Sequence, residues 1–143
     1  MFELGCHMID LVVGVIGTPT KVTPYFRHVG PQSDKLNDNM LAVFETEKAL
    51  ATVASTAVEV EGGARRHLVV CGTQGTFHIQ PIENPVATIS LSEPHDDFRR
   101  GIQTRSFTEP RFTRYTADAA DMARIIRGEK KSDFSYDHDL AVQ

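Results

Sequence analysis

A succession of short strand-like segments joined by turns limits the folds open to this sequence more than any other feature. β-Branched and aromatic residues concentrate in segments 22–29, 40–46, 50–60, 67–71, 76–82 and 86–91, which we predict as strands. Only Glu47–Ala49 separates the second segment from the third, and Gly72–Gly75 joins the fourth to the fifth. Strands that follow one another through short turns pair as hairpins, so the order predicts antiparallel pairing.

Helical patterns lie on both sides of the strands. The first ends at Gly17 and Pro19, and its apolar positions follow i, i+3, i+4 spacing and centre near Val15: Met8, Leu11, Val12, Val15 and Ile16. A second helix is predicted over 117–127, between Thr116 as N-cap and Gly128. The order predicts an α+β fold, an open and predominantly antiparallel β-sheet with helices packed on one face.

Composition narrows the classes of protein and partner. The chain has 143 residues, 41% of them hydrophobic and 24% charged, which indicates a single folded domain over 1–143 rather than a disordered chain. Its net charge of −4 argues against nucleic acid as a partner, and no apolar run is long enough for a membrane span. Cys6 and Cys71 form no Cys-x-x-Cys pair and no secretory signal is seen, so we expect a cytoplasmic protein without a metal site.

Both ends of the sequence look interrupted. A helical pattern begins within the first few residues, and the last ones read as the first turn of a helix that Ser135 or Asp137 would cap. A stub of about seven residues is marginal as a helix on its own. We therefore expect the chain to be part of a longer protein, with a preceding domain and the rest of the last helix missing.

The first helix also carries a polar stripe. Glu3, His7, Asp10 and Gly14 lie on the order of 140° around the helix from the apolar positions, so one face packs on a core while the other presents an acid, an imidazole and a second acid. Two interpretations remain open from the pattern alone. The stripe is a catalytic or binding site, or it is an ordinary helix surface with a Glu3–His7 ion pair.

The residues of this stripe are similar to those of a known family. Glu3, Gly5, His7 and Asp10 reproduce the Asp/Glu-x-Gly-x-His-x-x-Asp segment of the Gfo/Idh/MocA oxidoreductases, the glucose-fructose oxidoreductase and inositol dehydrogenase superfamily. Segments 38–51, 65–76, 114–128 and 138–143 resemble the family in the same order. The resemblance thus spans nearly the whole chain.

The resemblance implies a role within a two-domain enzyme. Family members bind NAD or NADP in an N-terminal Rossmann domain, and this chain resembles only their C-terminal domain. It contains neither a Gly-x-Gly-x-x-Gly turn nor the family's Glu-Lys-Pro motif, so we expect the cofactor in the full-length protein and none bound by this chain alone. The implied function is substrate binding and oligomerisation in an oxidoreductase that transfers a hydride to or from a sugar, cyclitol or related polyol.

The same resemblance assigns roles to individual residues. His7 is the implied catalytic acid/base, and imidazole suits the removal of a hydroxyl proton that accompanies hydride removal. Glu3, one turn earlier, would orient the ring and stabilise its charged form. The residues themselves, apart from the resemblance, make Asp10 a candidate for substrate binding or for a structural role. They also make Arg66 a candidate for binding a substrate hydroxyl or carboxylate, with a solvated strand end as its alternative. We assign no role to His138.

The predicted third strand bears on assembly. Small or apolar side chains occupy both of its faces, with Leu50, Thr52, Ala54, Thr56 and Val58 on one and Ala51, Val53, Ser55 and Ala57 on the other. We expect the face away from the helices to pack on a second copy, as the family resemblance also implies, and we take Ser55 to face outward. The alternative function is a non-catalytic oligomerisation or ligand-binding α+β module.

Overall fold

A computed structural model describes residues 2–84, 86–107, 113 and 115–143, and all of their side chains except those of residues 2–4. The helices are α1 (Phe2–Ile16), α2 (Thr116–Ile126) and α3 (Tyr136–Val142). The strands are β1 (Lys21–Arg27), β2 (Asn39–Glu45), β3 (Leu50–Thr56), β4 (Leu68–Cys71), β5 (Gly75–Ile79), β6 (Val86–Leu91) and β7 (Gly101–Ser106). In this part of the chain, no helix has the length and apolar character that crossing a bilayer requires.

The strands form two antiparallel sheets. The first has the order β1-β2-β3 and the second the order β4-β5-β6-β7, so each strand pairs with its neighbour in sequence. This confirms the predicted α+β class and the antiparallel pairing. The chain divides into two compact units, Met1–Glu59 with Met122–Gln143, and Val60–Asp121. The first unit contains the β1-β2-β3 sheet with α1 and α3, and the second contains the β4-to-β7 sheet.

The core of the first unit lies between α1 and the β1-β2-β3 sheet. Phe44 of β2 and Val53 of β3 are 4% and 5% exposed, and Val12 of α1 packs with them. Strand register places Ala42 opposite Val53 on the same face. Removing a side chain such as Phe44 from a core of this kind costs about 3–5 kcal/mol of unfolding free energy.

The buried face of α1 differs from the predicted one. The structure buries Val12 and Val13, and Met8, Ile9 and Ile16 pack against the core, whereas Val15 is 53% exposed. The prediction that the apolar stripe centres near Val15 is wrong by roughly 60° of helix rotation. Apolar residues cover most of this helix, so periodicity alone does not fix which of them face the sheet.

The two faces of the β1-β2-β3 sheet are chemically different. The face that α1 covers contains Phe44 and Val53. Ser55 lies two positions from Val53 on β3 and opposite Met40 of β2, so both of these residues share that face. The prediction that Ser55 faces outward is therefore wrong. The outward face carries Thr23, Tyr25, Leu41, Val43, Leu50, Thr52 and Ala54 between the Lys21–Glu45 ion pair and Arg27. Sequence alternation alone does not reveal which of two small, apolar faces meets the helix.

The second unit has its own buried position. Ala87 of β6 is 0% exposed, with Ile79 of β5 opposite it in register. Phe77 and Ile89 form the next pair on the same side.

His28 organises the connection between β1 and β2. Its Nδ1 lies 2.7 Å from the carbonyl oxygen of Leu36 and its Nε2 lies 3.0 Å from that of Gln32. A neutral imidazole has one N–H, so only the protonated ring donates to both carbonyl groups. The pKa of His28 is accordingly raised, first by the Leu36 carbonyl, then by that of Gln32, and further by Asp38 and Asp34.

Asp38 holds the other side of this connection. Its Oδ1 accepts from the backbone N–H of Val29 at 2.9 Å, and its Oδ2 accepts from that of Gly30 at 2.8 Å. Its Oδ2 also lies 3.3 Å from Nδ1 of His28. The N–H of Val29 is the main cause that lowers the pKa of Asp38, and the Gly30 N–H and the imidazole add to it. Below the raised pKa of His28, a His28–Asp38 ion pair therefore fixes the loop.

We expect this pair to make stability depend on pH. Because the folded pKa of His28 lies above the unfolded value of 6.5, its stabilisation is complete below that value and is lost as pH rises through the folded pKa. The melting temperature of the wild type should thus exceed that of His28→Gln most at about pH 5.5 and least at about pH 8.5. Calorimetric unfolding of both proteins measures the difference.

His95→Gln is the matched control for this experiment. The His95 side chain is 79% exposed, so its replacement should change the melting temperature little across the same pH range. A wild-type advantage over His28→Gln that stays constant from low to high pH would contradict the assignment of a charged imidazole in the loop.

Candidate functional site

The polar stripe of α1 lies away from the core. The buried side chains of α1 and the stripe positions are separated by roughly 160° around the helix axis. His7 is exposed and Asp10 is half-buried. Residues three apart on a helix are neighbours, so His7 and Asp10 present their side chains side by side. The α1 backbone includes Glu3, but its side chain lies outside the described residues, and the Glu3–His7 contact stays a prediction.

Asp10 pairs with a residue to which the sequence assigned no role. Its Oδ1 lies 2.6 Å from Nε2 of His138, which belongs to α3. Ser135 caps α3 by accepting the backbone N–H of His138 at 3.1 Å, and the Phe134 ring lies 5.1 Å from the imidazole. The Ser135 cap was readable from the sequence. The contact with Asp10 was not, since the two residues lie 128 positions apart.

Arg66 belongs to the second compact unit. It follows the short 3-10 helix Gly62–Arg65, and its guanidinium forms an ion pair with Glu83. The Arg66 side chain is 62% exposed, so the pair is a surface contact of small energetic value. A substrate carboxylate bound by Arg66 would have to compete with Glu83. Substrate binding by Arg66 stays a prediction.

The described residues hold no metal cluster, and the Gly72–Gly75 turn joins two strands instead of leading into a helix. Where side chains are described, no group of three or more His, Cys, Asp and Glu is placed to hold a metal ion. The Gly72–Gly75 turn joins β4 to β5, closed by the Gly72 N–H donating to the Gly75 carbonyl at 2.8 Å. A Cβ at Gly75 would collide with the backbone of Ser90 in β6, so strand packing explains this glycine. A nicotinamide dinucleotide, which binds where a strand leads into a helix N-terminus, does not fit this turn.

Comparison with protein families identifies the class. The family model described as the GFO/IDH/MocA C-terminal domain matches residues 1–78, more than half of the 143-residue chain. The match covers α1, the β1-β2-β3 sheet and the polar stripe. The chain therefore belongs to the GFO/IDH/MocA family and corresponds to its C-terminal domain. No individually curated protein sequence matches the chain.

Solved structures of oxidoreductases share the fold. A putative oxidoreductase from Klebsiella pneumoniae superposes with a TM-score of 0.72 at 14% identity, over 99% of this chain and 43% of its own. A levoglucosan dehydrogenase in complex with NADH and L-sorbose gives 0.72 at 15% identity, over 98% of this chain and 45% of its own. The WlbA dehydrogenase from Bordetella pertussis, in complex with NADH and UDP-GlcNAcA, superposes with a TM-score of 0.68 at 14% identity, over 98% of this chain and 38% of its own. This chain thus spans less than half the length of each of the three.

We expect the chain by itself to bind no nicotinamide nucleotide. The reason is that its glycine turn connects two strands and offers no helix N-terminus to a pyrophosphate. Isothermal titration of the isolated chain with NADH and with NADPH should give no binding heat, whereas the full-length protein should bind one of them. Micromolar affinity of the isolated chain would contradict the expectation.

Proposed function

We propose that this chain is the substrate-binding and oligomerisation domain of an NAD(P)-dependent oxidoreductase that transfers a hydride to or from a sugar, cyclitol or related polyol. The observation that carries the proposal is the position of His7 and Asp10, on the exposed side of α1 and opposite its buried face, in a chain of this family. The relatives solved with NADH together with L-sorbose or UDP-GlcNAcA support the substrate class.

His7 is the proposed proton acceptor. Oxidising a secondary alcohol removes a hydride from carbon and a proton from the hydroxyl oxygen, and the exposed imidazole of His7 is a suitable acceptor for that proton. The nicotinamide nucleotide, bound by the Rossmann domain of the full-length protein, supplies the hydride chemistry. Asp10 contributes a carboxylate beside the imidazole of His7, and Glu3 is proposed to orient that imidazole. Arg66 is proposed to bind a polar group of the substrate.

The outward face of the β1-β2-β3 sheet is the proposed oligomer contact. Tyr25 and Leu50 on this face are 54% and 74% exposed, and Leu41, Val43 and Ala54 add small or apolar surface beside them. Soluble proteins rarely leave a continuous apolar patch of more than a few hundred Å² open to water. A second copy packed by two-fold symmetry covers the patch with the same residues on both sides.

A cytoplasmic location completes the proposal. Cys6 and Cys71, both described by the structure, are not joined by a disulfide. A chain without a disulfide framework is typical of proteins in reducing compartments.

The catalytic part of the proposal predicts the effect of His7→Ala. In the full-length protein, we expect kcat for polyol oxidation to fall roughly 10²–10⁴-fold, because a lost general base removes transition-state stabilisation. Glu3→Gln should cost less, since it leaves the imidazole in place. Steady-state kinetics at neutral pH measure both variants. His95→Ala removes an exposed imidazole elsewhere and serves as the control, and near-normal turnover of His7→Ala would refute the assignment.

The assembly part predicts the effect of Ala54→Arg. Ala54 lies opposite Leu41 on the outward face, so an arginine there would place an unpaired charge in the contact. We expect light scattering to show a dimer or larger oligomer for the wild type at about 100 µM and a folded monomer for Ala54→Arg. Thr73→Arg, in the exposed β4–β5 turn, is the control and should assemble like the wild type. A monomeric wild type would refute this part.

A further inference from the structure

The Asp10–His138 pair adds a second imidazole to the polar stripe of α1. We propose that His138, held by Asp10, hydrogen-bonds a hydroxyl of the polyol substrate through its Nδ1, next to the hydroxyl that His7 deprotonates. The inference rests on the proposed function. It goes further by giving the site a second polar contact and by requiring a substrate with two neighbouring hydroxyls.

The first step concerns the tautomer of His138. An ionised carboxylate only accepts hydrogen bonds, so the 2.6 Å contact requires the proton of the His138 ring to be on Nε2. The distance lies just below the usual range for a bond from nitrogen to oxygen, and a charged acceptor shortens such bonds. In the neutral ring, Nδ1 then carries a lone pair and accepts a hydrogen bond. While the ring is neutral, Asp10 thus fixes an acceptor at Nδ1.

The second step concerns position. Asp10 follows His7 by three residues on α1, so the imidazole bound to Asp10 lies beside the same stripe. The His138 side chain is 28% exposed, which leaves part of the ring accessible. The Ser135 cap fixes the backbone at His138, and the Phe134 ring packs at 5.1 Å. These three contacts hold the imidazole in place before a ligand binds, which lowers the entropy lost on binding.

The third step concerns the ligand. A sugar or cyclitol presents hydroxyls on adjacent carbons, and each hydroxyl donates one hydrogen bond. His7 takes the proton of the reacting hydroxyl, and Nδ1 of His138 accepts from the neighbouring one. A site with an acceptor for one substrate hydroxyl therefore favours substrates that carry this hydroxyl over analogues that lack it. His138 is therefore a binding residue, and no proton leaves the substrate through it.

The decisive variant is His138→Gln. The glutamine amide nitrogen can take the place of Nε2 and still donate to Asp10, but the side chain has no acceptor where Nδ1 was. We expect kcat/KM of the full-length protein for the polyol to fall roughly 3–10-fold, the worth of one hydrogen bond, with an unchanged melting temperature. His138→Leu removes both contacts and should also lower the melting temperature.

A deoxy substrate distinguishes a substrate-binding role of His138 from a purely structural role. For an analogue that lacks the neighbouring hydroxyl, wild type and His138→Gln should show equal kcat/KM, because the contact is absent in both. If His138 is only a tie between α1 and α3, His138→Gln keeps the tie and matches the wild type on the complete polyol, which overturns the inference. In that case the proposed function survives if His7→Ala shows its predicted loss of kcat. A full-length protein without polyol oxidation overturns both.

A measurement without catalysis tests the tautomer. In ¹⁵N NMR of the chain at a pH where the His138 ring is neutral, Nδ1 should resonate as an unprotonated nitrogen. Asp10→Asn should shift the ring toward a mixture of both tautomers, because an amide no longer demands the proton on Nε2. A neutral ring protonated at Nδ1 in the wild type would overturn the inference.

Discussion

The packing of α1 on β2 and β3 determines where the polar stripe and the uncovered face of the first sheet lie. Val12 packs against Phe44 and Val53, and this contact sets the rotation of α1 about its own axis. Once that rotation is set, His7 and Asp10 are directed away from the sheet, and the opposite face of the sheet is left without a helix. The candidate site and the candidate oligomer surface are therefore both consequences of one apolar contact.

Local features of the fold follow well from the sequence. The hairpin order predicts the pairing of β2 with β3 and of β4 with β5, because the segments that separate these strands are too short for any other connection. The end of α1 at Gly17, whose φ is 78°, follows from the freedom of glycine to adopt that angle. The polar stripe of α1 follows from helix geometry, because its members recur at a spacing of three or four residues.

Other features depend on contacts that no local pattern contains. The choice between Val13 and Val15 as a buried residue, and between Ser55 and Ala54 as an outward one, depends on how a helix and a sheet fit together as surfaces. The pairing of Asp10 with His138 joins positions 128 residues apart. The two carbonyl contacts of His28 depend on how the loop of residues 28–38 closes, and neither composition nor periodicity describes that closure.

The opposed faces of α1 also bear on how such a domain can diverge. Side chains that pack on the sheet and side chains that meet a substrate lie on opposite sides of one helix, with few contacts in common. Substitutions at sites that share no partners have nearly additive effects on stability. The core can therefore be repacked by conservative changes while the stripe persists, and the stripe can be altered for a new ligand while the core persists. A fold retained at 14–16% identity among oxidoreductases is consistent with this independence.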